Sequence, residues 1–243
     1  MLDREKLLLT FLGVQASLLS PPQGHLIAPA ALGAKDVSTI YGELARYGFA
    51  NFQLVPGGGQ MATADGVSVL TLTGAAMAFQ EDLSRSAFPL ATDRLGVAMT
   101  HFREKLPEGT LMMTLSVDLQ AQWEGSGIRS DEFVSQIYLK DAVRRLGQEI
   151  PNLEYQGSGV RITLNRPAEA PLPPGVTMEA VPGGLRDAFD IRIEPLFADK
   201  TKLFLQVVGM FAVTSDMKSV VPRIQEVQRL LYDTVAPKIA LLG

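Results

Sequence analysis

Between Leu111 and Trp123 the chain alternates: Leu111, Met113, Leu115, Val117, Leu119, Ala121 and Trp123 interleave with Thr114, Ser116, Asp118, Gln120 and Gln122. A period of two sends the apolar set to one side of a strand and the polar set to the other, so a half-buried strand is predicted here. Such a pattern belongs to an antiparallel sheet covered on one side. Strands of doubly wound parallel folds are buried on both faces and read as unbroken apolar runs. A Rossmann-like fold is disfavoured on that ground.

Helices are predicted from 3.6-residue spacing at four places. Asp36 can cap a helix with the stripe Val37, Ile40, Tyr41 and Leu44, and Gly48 is placed to end it in a left-handed conformation. A second is predicted from Pro89 to Leu106, with Ala91, Leu95, Ala98, Met99, Phe102 and Leu106 on one side. In a third, Ser130 supplies a capping hydroxyl, Asp131 and Glu132 meet the positive end of the dipole, and Leu139, Val143, Leu146 and Ile150 form the stripe. The last starts near Ser219, tolerates Pro222 in its first turn, carries Ile224, Val227, Leu231 and Val235, and is expected to break near Pro237.

Turn-forming residues separate strand candidates between these helices. Phe49–Val55 and Val67–Phe79 flank Pro56-Gly57-Gly58-Gly59; Glu154–Gln156 and Val160–Leu164 flank Gly157-Ser158-Gly159; Phe189–Phe197 and Leu203–Val213 flank Ala198-Asp199-Lys200-Thr201. The run Leu203–Phe211 is apolar on both faces and is expected to be a central strand. Residues 166–184 contain Pro167, Pro171, Pro173, Pro174 and Pro182 and are expected to form an extended, proline-rich arm or loop. The expected fold class is therefore α+β, with mainly antiparallel sheet packed on one face by about four helices. The expected organisation is a single domain over 1–243. The element order also reads as two similar strand-helix-strands-helix halves, 1–108 and 109–243, intimately packed, although no residue-level repeat accompanies it.

Composition narrows the function. Of 243 residues, 22 are Lys or Arg and 26 Asp or Glu, a net charge of −4, so no global positive field gathers nucleic acid or anionic lipid. No cysteine is present, which excludes thiol nucleophiles, thiolate metal sites and disulfides. No apolar run reaches the length of a membrane helix. The charged start Asp3-Arg4-Glu5-Lys6 lacks the pattern of a signal peptide, and a cytoplasmic location is expected.

No local motif assembles a catalytic site. His25, in the loop Ser20–His25, and His101, on the second helix at the edge of its apolar stripe, have no neighbouring zinc-binding or nucleophile-elbow pattern. The glycine cluster 57–59 lacks the Lys-Ser/Thr of a phosphate loop and reads as a hairpin tip. Glu81, Asp82 and Arg85 offer carboxylates beside an arginine, without the further ligands a hard cation needs. Asp118 sits on the polar strand face with Ser116, Gln120 and Gln122, where it lines a cavity only if that face is covered. Lys140, Asp141, Arg144 and Arg145 make a mixed-charge helix surface. Trp123 suits either a core edge or an interface anchor, and the nine methionines suit adaptable packing.

Catalytic and metal-binding residues are accordingly expected to be absent, and no cofactor is expected. The reading these residues favour is a non-enzymatic protein acting through association, with itself or as a subunit of a larger assembly. The order of elements from residue 110 onward is similar to that of helix-grip proteins, which hold apolar ligands between a curved sheet and a C-terminal helix. That resemblance implies an alternative function, small-molecule binding in a pocket between the helix at 219–236 and the strands at 111–123 and 203–213.

Overall fold

The computed structural model describes residues 4–19, 32–106, 110–124, 129–138, 159–167, 186–196, 198–214 and 217–240. Nine strands make one antiparallel sheet: β1 (Leu7–Leu19), β2 (Phe49–Val55), β3 (Gly58–Thr63), β4 (Ser68–Thr73), β5 (Ala76–Asp82), β6 (Leu111–Glu124), β7 (Val160–Pro167), β8 (Arg186–Pro195) and β9 (Lys202–Thr214). Their order across the sheet is β2-β3-β4-β5-β1-β6-β9-β8-β7. The helices are α1 (Ala34–Leu44), α2 (Phe88–Lys105), α3 (Ser130–Tyr138) and α4 (Val220–Arg229). After α4 the chain winds through a π-helical segment, Leu230–Val235, into a last helical turn, α5 (Ala236–Ala240). The mixed α+β class expected from the sequence is present, with strand predominating. Among the described residues no helix is long and apolar enough to cross a membrane.

The alternating segment is β6, sixth of the nine strands across the sheet. From Leu115 onward its apolar set packs inward, with Leu115, Val117, Leu119, Ala121 and Trp123 all buried, but at its start a register shift against β1 between Ser17 and Leu18 breaks the expected alternation and makes Met112 the buried residue. β1 lies beside it and alternates less cleanly because of a register shift between Leu9 and Phe11. One extra residue at Thr10 returns Leu7 and Leu12 to the same side, opposite Trp123 and Leu119. Buried residues from Leu7 to Ile239 form one contiguous apolar cluster.

Glycine sets how closely helix and sheet approach at one point. A Cβ on Gly209 of β9 would lie 2.6 Å from the Val227 methyl of α4 and 2.9 Å from the Phe211 ring. The helix therefore rests directly on β9, and Val227 fills the space there.

Several sequence-based boundaries need correction. α1 begins after Gly33, so Asp36 sits in its first turn instead of capping it, and the helix runs through a 3-10 turn to Gly48, whose φ of 91° is the left-handed stop expected. Ser130 opens α3 as its first residue, and its hydroxyl donates to the Lys200 carbonyl at 3.0 Å. Gly58 and Gly59 belong to β3; the turn is made by Pro56 and Gly57, where φ is 75°. The stretch Val67–Phe79 holds two strands, because Thr73 Oγ1 accepts from the backbone N–H groups of Ala75 and Ala76 and folds the chain back. β9 is interior to the sheet yet only one of its faces is buried; Met210 is 44% exposed. Arg166 and Pro167 end β7, and the rest of the proline-rich stretch lies outside the described residues.

The C-terminal helix passes through Pro237 where a break was expected. Proline has no N–H to offer the Asp233 carbonyl, and its ring crowds that oxygen. The preceding turn widens, and the Ala236 N–H reaches the Leu231 carbonyl five residues back.

Candidate functional site

The acidic cluster predicted after β5 is separated by the fold. Glu81 is 0% exposed on the inner face of β5. It accepts from Arg94 of α2, Nη1 to Oε1 at 2.6 Å, and from the Ser68 hydroxyl of β4. Arg94 also donates to Ser68 Oγ at 2.7 Å and to the Tyr47 carbonyl at 3.2 Å. Asp82 caps the following turn through the Ser84 N–H and hydroxyl, and Arg85 reaches Asp65. The cluster thus becomes one internal lock and one surface turn. His101 lies 4.0 Å from Glu43 and 3.6 Å from Glu104 on the helix surface. His25 and the basic group at 140–145 lie outside the described residues. Among the described residues no group of His, Asp and Glu is arranged to hold a metal ion.

Asp118 occupies the outward face of β6, opposite Gly13 of β1 and Val208 of β9. Gln206 Nε2 donates to one of its carboxylate oxygens at 2.8 Å and Gln120 Nε2 to the other at 3.1 Å. The Phe11 ring lies over Gly13, where a Cβ would approach it to 2.9 Å. On β4, β5, β1, β6 and β9 every described outward side chain is partly or fully exposed. Along β5, β1, β6 and β9 this field carries Asp82 and Asp118 as its charges until the Glu124–Lys202 pair at one end; elsewhere it is Gln, Ser, Thr and Ala with Leu8, Phe11, Phe204, Val208 and Met210.

A groove of about 660 Å³ runs between α4 with its π-helical continuation and the strands β7 and β8. Leu164, Phe189 and Leu230 give it apolar walls, and Arg229, Asp233 and Thr234 rim it. Its inner end is a charged lock. Asp187 is 1% exposed; Arg166 donates to it at 2.9 and 3.1 Å, the Ala212 N–H at 3.2 Å, and Arg223 lies 3.8 Å away. Glu226 bridges the same two arginines, at 2.5 Å from Arg166 and 2.8 Å from Arg223. The two guanidinium groups lie over the Phe189 and Phe211 rings, 5.3 and 4.8 Å from their centres. A smaller cleft of about 450 Å³ separates α2 from the start of α4.

Burial pushes the Glu226 carboxyl up, and the hydrogen bonds from Arg166 and Arg223 outweigh it, leaving the group below its ordinary range. Arg161 does the same for Asp190 on β8, and Arg129 for Asp131 on α3, chiefly by hydrogen bonding. A carboxyl held down in the folded state contributes stability above its unfolded pKa and loses it as pH falls through the folded one. The urea midpoint is therefore expected to stay level from pH 7 to about 5 and to fall below about 4. Glu226→Gln is expected to cost about 1–2 kcal/mol at pH 7 and to approach wild type near pH 3. Urea titrations at both pH values measure this; a gap that widens on acidification contradicts it.

The groove was not legible in the sequence. Arg166, Asp187 and Arg223 lie on three separate elements, and only the Arg223/Glu226 spacing of one helical turn gave a local sign of pairing. The chain matches no protein-family model and no curated protein.

Proposed function

We propose that the protein acts through association, with further copies of itself or as a subunit of a larger assembly, and not as an enzyme. The observation that carries this reading is the outward field of β5, β1, β6 and β9, at least partly exposed along its whole described length and nearly free of charge. An antiparallel sheet tolerates one wet face, but a wet face normally carries Lys and Glu for solubility. Depletion of charge around aromatic and Met side chains is the composition of an interface core. The finer architecture belongs to the same proposal: helices covering the opposite face, in one domain built from halves 1–108 and 109–243. Its support is the strand order, in which β1 pairs with its own last strand β5 and β6 with β9, and each set then runs outward.

The groove beside α4 favours a second reading, small-molecule binding, because a volume of about 660 Å³ suits a ligand of modest size. It lies on the flank of α4 toward β7 and β8, away from the Val227–Gly209 contact. Native mass spectrometry of protein purified gently from its host tests both. Multiples of the 26.3 kDa chain, or a defined second polypeptide, are expected. A bare monomer at micromolar concentration contradicts association, and a monomer with a retained small molecule replaces it with the second reading.

A further inference from the structure

We propose that two copies of this chain join edge to edge through β7, in antiparallel register centred on Thr163, so that their sheets become one. The inference rests on the association reading and names the partner and the seam.

β7 is the outermost strand, paired residue for residue with β8 from Val160↔Ile193 to Pro167↔Arg186 without a register shift. Among the described residues no strand pairs with its outer side. Such an edge offers a row of backbone donors and acceptors, and edges that must stay single are blunted by bulges, covering elements or projecting charges. The opposite edge is treated in this way: β2 has a register shift between Phe49 and Asn51, and Tyr41 of α1 stacks on Phe52 at 5.3 Å. β7 is regular, with Ile162 39% and Leu164 47% exposed. Its two cations are already neutralised from within the chain. Arg161 is 2.7 Å from Asp190, and Arg166 is bound by Asp187 and Glu226.

The strand complements itself. About a twofold axis at Thr163, Ile162 stands opposite Leu164 of the second copy and Leu164 opposite Ile162, on the face that carries α4. On the other face Thr163 meets its own mate and Arg161 meets Asn165, so no like charges oppose one another. An axis at 162 shortens the paired stretch and one at 164 separates Ile162 from Leu164; centred on Thr163, the remaining pair sets Arg166 against Val160. In the centred register the second copy's Ile162 lies beside Leu164 at the mouth of the groove.

Because the chain has no cysteine, one introduced thiol reports the register. Thr163→Cys brings two thiols face to face at a spacing of about 4.5–5.5 Å between Cα atoms and is expected to give a disulfide-linked dimer under mild oxidation. Arg161→Cys, whose two copies lie about 13 Å apart, is expected to remain uncrosslinked. In sedimentation, Ile162→Lys with Leu164→Lys is expected to weaken the dimer at least about 100-fold while far-UV circular dichroism stays unchanged. If the wild-type chain self-associates or holds another polypeptide but neither lysine nor thiol variants respond, the β7 seam is wrong and association stands. If the wild-type chain is a bare monomer, both are wrong.

Discussion

Arg94→Ala is expected to lower the free energy of unfolding by about 3–5 kcal/mol at neutral pH, the cost of leaving a buried charge without its partner. Glu81 is shut off from water, and Arg94 is its cationic partner in the fold. The same guanidinium joins α2 to β4 through Ser68 and to the turn before β2 through the Tyr47 carbonyl. Arg94→Lys keeps a charge but loses the planar fork that reaches these groups together, and an intermediate loss is expected. The double variant Glu81→Leu, Arg94→Met should recover much of the deficit, since an apolar pair of similar volume carries no desolvation cost. Urea denaturation of the three variants decides the matter. A loss from Arg94→Ala below about 1 kcal/mol would mean that the pair is worth no more than a surface ion pair. Glu81, one of the carboxylates that the sequence sets near an arginine, is on this account a fastening between helix and sheet.

The elements that were legible are those whose signal lies within one element. The period of two in β6 is visible because its inward and outward neighbours are chemically distinct, and Gly48 is visible because a left-handed residue after a helix is best filled by glycine. What was hidden depends on pairing. Thr10 reads as an ordinary strand residue until its partner strand shows it to be the extra one. Gly58 and Gly59 read as a turn, yet Gly59 lies beneath Val37 of α1, and only a residue without a side chain lets the helix come so near. Pro237 looked like an end because a proline forbids the ordinary ladder; a wider turn satisfies the same prohibition without ending the helix. The groove needed β7, β8 and α4 together, and no periodicity in any one of them contains it.

Trp123→Ala is expected to cost about 3–5 kcal/mol, with Trp123→Phe near half of that. The side chain is 0% exposed on the inner face of β6, in register with Leu7 of β1 and Leu203 of β9. Its neighbour on the same face, Ala121, is small and cannot extend into the vacated volume, so the void persists and its walls lose their contacts. The sequence alone left open whether this tryptophan anchors a partner. An anchor and a core residue respond in opposite ways: truncating an anchor leaves the urea midpoint in place and abolishes the complex, whereas truncating a core residue lowers the midpoint and leaves any surviving folded molecules able to associate. Measured under native conditions, Trp123→Ala is therefore expected to keep the wild-type assembly mass while unfolding at markedly lower urea. A variant with the wild-type midpoint and a lost complex would place the tryptophan, and with it the end of β6, at an interface instead.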